Sequence, residues 1–107
     1  MELTDKTIIR VLREHAGILK KYKVKKIGLF GSFSRSEQKS RSDIDLVVEF
    51  DLGGFDRNFT GYFDNYLELL EALKRILKRD IDLVTNDMLS PYIEPYVLNE
   101  VRYLETA

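Results

Sequence analysis

The apolar positions of the first segment, Ile8, Ile9, Leu12, Ala16 and Leu19, recur at three- and four-residue spacing and predict a helix with one buried face. Thr4 or Asp5 stands where its N-terminal cap is needed. Lys26-Ile27-Gly28-Leu29-Phe30 then forms a short, mostly apolar run that stops at a Gly-Ser turn, as a buried strand does. A second strand is predicted over Asp43-Ile44-Asp45-Leu46-Val47-Val48-Glu49-Phe50, followed by a Gly-containing loop with two aromatics, Phe55 and Phe59. From Thr60 the pattern returns to helical spacing, with Phe63, Tyr66, Leu70, Leu73 and Leu77 on one stripe. Tyr62 and Leu69 widen that stripe beyond what one sheet face needs. Asp80 to Thr85 predicts a third strand, Ser90-Pro91 the start of a helix that Pro95 shortens or kinks, and Val101 to Leu104 a closing strand. Helices alternating with short strands imply an α+β (α/β two-layer) domain, a small mixed sheet with helices packed on it, spanning residues 1–107 as one unit.

Composition narrows the class. A content of 44% hydrophobic and 33% charged residues suits one globular domain with a small core and excludes a disordered chain. Seventeen basic and eighteen acidic residues give a net charge of -1, so no global field draws the chain onto nucleic acid, and direct nucleic-acid binding is not expected. Lys20, Lys21, Lys23, Lys25 and Lys26 form a local basic cluster, which reads either as a solvated helix end or as a phosphate contact. There is no cysteine, hence no disulfide framework or thiolate metal site. With no apolar stretch of membrane-spanning length and no secretory leader pattern, no membrane partner is expected and the cytoplasm is the expected compartment.

The chemistry concentrates between the first two strands. Gly31 has no Cβ to hold a bulky anion away, and Ser32 offers a hydroxyl and a backbone N–H to a phosphate oxygen. A helical turn over 34–38 would aim further N–H groups at the same anion. Arg35 and Arg41 lie in the same loop, where a guanidinium can grip phosphate oxygens in pairs. Asp43 and Asp45 are two apart on a strand and so share a face, where adjacent carboxylates repel unless a cation intervenes. Oxygen-only ligands suit Mg²⁺, which keeps waters and substrate phosphates in its shell. Asp-Ile-Asp-Leu-Val recurs word for word at residues 80–84, bringing Asp80 and Asp82 as candidates for a third ligand. His15, the only histidine, reads as a helix-face residue at the core boundary. A P-loop is excluded because no Gly-Lys-Ser/Thr follows the turn, and an EF-hand because the acids do not follow its spacing.

A Gly-Ser pair, ten residues, Asp-x-Asp and a later strand Asp together resemble the nucleotidyltransferases of the DNA polymerase beta superfamily, and most closely the minimal nucleotidyltransferases that act as antitoxins to HEPN toxins. The family often has Ala-Arg-Gly where this chain has Ser34-Arg35-Ser36. The resemblance implies a DNA polymerase beta-like nucleotidyltransferase fold. It assigns Gly31 and Ser32 to the nucleotide triphosphate, beside Arg35 and Ser42 as further nucleotide-binding candidates from the same loop, and Asp43 and Asp45 to two Mg²⁺ ions, with Mn²⁺ as a substitute. Asp82 is preferred to Asp80 as the third catalytic and metal-binding acid, because the family's acid directly precedes a Leu-Val run. The implied activity is AMP transfer from ATP to a hydroxyl, a tyrosine in this reading, of a cognate HEPN toxin, making the chain a type VII-like antitoxin. Two other readings of the residues stay open: an antitoxin or nucleotide-binding module that acts by contact alone, and a transferase modifying a small molecule such as an aminoglycoside.

Overall fold

A computed structural model of the chain describes residues 3–31, 43–58, 60–86, 95 and 101–105. The chain opens with α1 (Asp5–Glu14), where Thr4 is the cap: its hydroxyl accepts from the Thr7 N–H while the Thr7 hydroxyl accepts from the Thr4 N–H at 2.7 Å. That reciprocal pair satisfies two of the donors a helix start leaves open. The helical pattern does not run on unbroken as expected. It stops at His15, whose Nδ1–H donates to the Val11 carbonyl at 2.9 Å, and resumes as α2 (Ala16–Lys21). The buried stripe is Ile8, Val11, Leu12 and Leu19, with Val11 in the place expected for Ile9.

β1 (Val24–Phe30) and β2 (Ile44–Phe50) pair antiparallel, with a register irregularity between Val24 and Lys26. A short 3-10 turn (Leu52–Gly54) leads to α3 (Tyr62–Leu77), then β3 (Ile81–Thr85), and β4 (Arg102–Glu105) closes the sheet. The strand order is β3-β2-β1-β4, with β2 and β3 parallel and the other pairs antiparallel, so the sheet is mixed as expected. α3 is the crossover that parallel neighbours require. The helix predicted to start at Ser90 lies outside the described residues.

Strand alternation divides the sheet into two faces. Ile27, Leu29, Ile44, Leu46, Val48, Phe50, Ile81 and Leu83 join Ile8, Leu12, Leu19, Leu69, Leu73 and Leu77 in one core beneath the helices. α3 is rolled relative to the expected stripe. It buries Asn65, Leu69, Ala72, Leu73 and Leu77, which leaves Phe63 exposed and Tyr66 and Leu70 half-buried. Asn65 tolerates burial because its Nδ2 donates to the Tyr22 carbonyl at 2.8 Å, tying α3 to the end of α2. Phe55 packs edge-on to Phe50 and against Tyr62, a satellite cluster under the loop, and Phe59 lies outside the described residues.

Candidate active site

The face of the sheet away from the helices carries Asp45 on β2 and Asp82 on β3. In the parallel register these two residues are direct partners, flanked by Ile44 opposite Ile81 and Leu46 opposite Leu83. From Ile44 to Val47 the doubled pentapeptide thus pairs with itself, each residue beside its own counterpart. Asp43 lies just before β2 and is exposed, and Asp80 takes the equivalent place before β3, its carbonyl accepting the Ile44 N–H at 3.1 Å. Asp45 is half-buried and Asp82 exposed.

β1 delivers Gly31 to the same end of the sheet. Phe30 is the antiparallel partner of Asp45, and Gly31 follows it with φ +74°. A Cβ built on Gly31 would stand 2.1 Å from the Asp45 Oδ2 and 2.9 Å from its Cγ. Glycine is needed twice here, for the left-handed backbone and for the room the carboxylate occupies. Within the described residues, what approaches Gly31 is the Asp45 carboxylate. Ser32, Arg35, Arg41, Ser42 and the predicted turn over 34–38 lie outside the described residues.

Tyr66 completes this edge from α3. Its hydroxyl donates to the carbonyl of Leu83, the residue after Asp82. Burial pushes its phenol above the usual range, and the negative charge of Asp82 adds to that push. The sequence placed Tyr66 on the core stripe; its reach to the edge strand depends on a partner 17 positions away and left no local signal.

Other candidates fall elsewhere. Lys20, Lys21, Lys23 and Lys25 gather at the start of β1, while Gly31 follows its end, so a seven-residue strand of about 20 Å separates them from the carboxylates. Lys21, Lys23 and Lys26 lie instead over the rings of Tyr22, Phe55 and Tyr103. A cavity of about 430 Å³ is lined by His15, Ile18, Ala72, Arg75 and Ile76, all helical-layer residues, and none of the carboxylates borders it.

Among the described residues, no three acidic or imidazole side chains converge closely enough to enclose a metal ion by themselves. The donor set nonetheless fits a hard cation of the magnesium type. Asp45 and Asp82 are like charges on paired positions, and Asp43 shares the strand end. Carboxylates so placed offer only oxygen, and Mg²⁺ fills the rest of its shell with water and phosphate.

The family profile described as "Nucleotidyltransferase domain" matches residues 12–104. MJ1379 of Methanocaldococcus jannaschii, provisionally named a protein adenylyltransferase, is 44% identical over 99 residues, 91% of this chain and 94% of that protein. The protein adenylyltransferase MntA of Thermococcus cleftensis is 34% identical over 103 residues, 95% and 97% of the two chains. A solved structure provisionally identified as a minimal nucleotidyltransferase superposes with a TM-score of 0.72 at 26% identity, covering 94% of this chain and 96% of that one. A toxin-antitoxin structure with AMP-PNP superposes with a TM-score of 0.58 at 29% identity, covering 94% of this chain and 72% of that one.

Proposed function

Since the chain belongs to the nucleotidyltransferase-domain family, we propose that it transfers AMP from ATP to a hydroxyl, that of a tyrosine, on a cognate HEPN toxin, and so acts as an antitoxin. The observation that carries this reading is the pairing of Asp45 with Asp82 across parallel strands, with Gly31 backed onto Asp45 at the same sheet end. Relatives named for protein adenylylation and a structural neighbour that is a toxin-antitoxin assembly with an ATP analogue support it.

In this mechanism the acceptor oxygen forms a bond to the α-phosphorus, the bond from that phosphorus to the β-phosphate bridging oxygen breaks, and pyrophosphate leaves. Asp43, Asp45 and Asp82 would hold divalent ions. Bound magnesium supplies charge neutralisation on the triphosphate and activation of the attacking hydroxyl. Asp82, exposed on the outer strand β3, takes the proton from the incoming hydroxyl and passes it to water. Asp45, fixed between β1 and β3 in the sheet, sets the position of the nucleotide end of the reaction. Gly31 keeps the space that its carboxylate occupies, Ser32, next in the chain, is assigned to the triphosphate, and Arg35 and Ser42 are assigned to the nucleotide.

The test is intact-mass spectrometry of a purified candidate HEPN toxin, after incubation with this chain, ATP and Mg²⁺. Wild type should add one or more AMP masses to the toxin, and the Asp43→Ala, Asp45→Ala double variant none. Equal gain with both proteins, or none with either, would overturn the assignment.

A further inference from the structure

We propose that the outer face of α3 is the docking surface for the protein that accepts the nucleotide, and that this partner meets it with a basic surface. The proposal rests on the adenylyl-transfer reading above and adds to it where the acceptor sits.

α3 satisfies the core through Asn65, Leu69, Ala72, Leu73 and Leu77. Tyr62, Tyr66, Leu70 and Ile76 pack against the margin of that core, and Phe63 and Leu67 are surplus to it. Phe63 is 66% exposed and Leu67, one turn on, 41% exposed, with Tyr66 and Leu70 half-buried alongside. Single exposed apolar side chains are ordinary on a protein surface, but a contiguous strip along one helix marks an interaction face.

Two observations say what covers it. The first is charge. On the other flank of Phe63 and Leu67, helical spacing places Asp64, Glu68 and Glu71, all exposed. Glu71 faces Lys74 at 3.9 Å across solvent, and the first half of the helix is otherwise acidic. A partner with lysines and arginines around an apolar centre complements this face.

The second observation is continuity with the site. The Tyr66 ring stacks on Phe63, with centroids 6.4 Å apart and planes 19° from parallel, and its hydroxyl meets the Leu83 carbonyl next to Asp82. Tyr66 thereby ties the strip to β3, the edge strand that carries Asp82 on its opposite face.

The experiment measures complex formation between the HEPN toxin named above and four proteins: wild type, Asp43→Ala/Asp45→Ala, Phe63→Ser/Leu67→Ser, and Glu68→Lys. Mass spectrometry after ATP addition runs in parallel, with fluorescent-ATP binding as a check on folding. The carboxylate variant should bind as wild type does. The Phe63/Leu67 variant should lose at least about thirtyfold in affinity, the effect of truncating one or two central contact residues, with nucleotide binding unchanged. Glu68→Lys should slow association most at low salt. Wild-type affinity and modification by the Phe63/Leu67 variant would overturn the docking proposal while leaving the transfer reading intact. Patch-dependent binding without any AMP addition would do the reverse. Failure of wild type to bind, or a homodimer of the isolated chain that the Phe63/Leu67 substitutions abolish, would also overturn the docking surface.

Discussion

Replacing Gly31 separates two effects that the structure places at one residue. At φ +74° an alanine pays the left-handed penalty of about 1–2 kcal/mol, partly offset by about 0.4–1 kcal/mol because alanine also restricts the unfolded chain. The new Cβ would stand 2.1 Å from the Asp45 Oδ2. That oxygen ends a side chain able to rotate, so the clash moves the carboxylate more than it strains the backbone. Gly31→Ala should therefore lose about 1 kcal/mol, a fall in Tm of roughly 4–8 °C, by urea and thermal unfolding. AMP transfer should fall by about a hundredfold, the scale expected when a reacting group is displaced by an ångström. Gly31→Asn divides the two effects, because asparagine tolerates the left-handed region: its stability should return to within about 0.5 kcal/mol of wild type while transfer stays as low as in the alanine variant. Wild-type rates in both variants would refute the claim that Asp45 depends on the missing Cβ. An alanine variant as stable as wild type would refute the backbone argument.

Asp82→Asn removes one of two like charges on paired positions, so the metal-free protein should gain about 0.2–1 kcal/mol, toward the lower end because Asp82 is exposed, while losing transfer; unfolding curves without divalent ions check the first part. Lys78 ends α3 in the left-handed region at φ 53°, and Lys78→Gly should stabilise the chain by about 1 kcal/mol in the same measurement, with transfer unchanged. Burial raises the phenols of Tyr66 and Tyr103, aided by the charges of Asp82 and Glu49, so the folded chain holds these protons more tightly than the unfolded one. Their contribution is complete below the ordinary phenol value near 10.0 and is lost as pH rises through the higher folded values; the alkaline loss of stability should shrink in Tyr66→Phe/Tyr103→Phe.

What the sequence made legible is what local pattern controls. Apolar runs bounded by turn residues located β1, β2 and β3 to within a residue or two, and Thr4 marked the start of α1. The roll of α3 was not legible. Aromatic and aliphatic residues flank the helix on both sides, giving two competing stripes, and the choice falls to Asn65, whose burial depends on the distant Tyr22 carbonyl. The interruption at His15 was equally hidden, since it turns on a ring nitrogen bonding back to Val11. For the site, the acids could be named, yet nothing local says that β3 lies beside β2, that Asp82 is the register partner of Asp45, or that Tyr66 reaches the Leu83 carbonyl.

The doubled Asp-Ile-Asp-Leu-Val shows how the core holds the candidate site in register. Aligned parallel, it sets Ile44 beside Ile81 and Leu46 beside Leu83 on the helix-covered face, where none of the four is more than 8% exposed. The same alignment forces Asp45 beside Asp82 on the opposite face. The repulsion cannot be relieved by slippage: a shift of one residue would turn every aliphatic side chain out of the core, and a shift of two would break the match of the aliphatic pairs. The spacing of the two carboxylates is therefore set by apolar packing on the far side of the sheet, which is the rigid support a metal-binding constellation needs. Two like charges on paired positions, held in register by buried aliphatic residues on the other face, are the local conflict expected where chemistry rather than stability decides the residue.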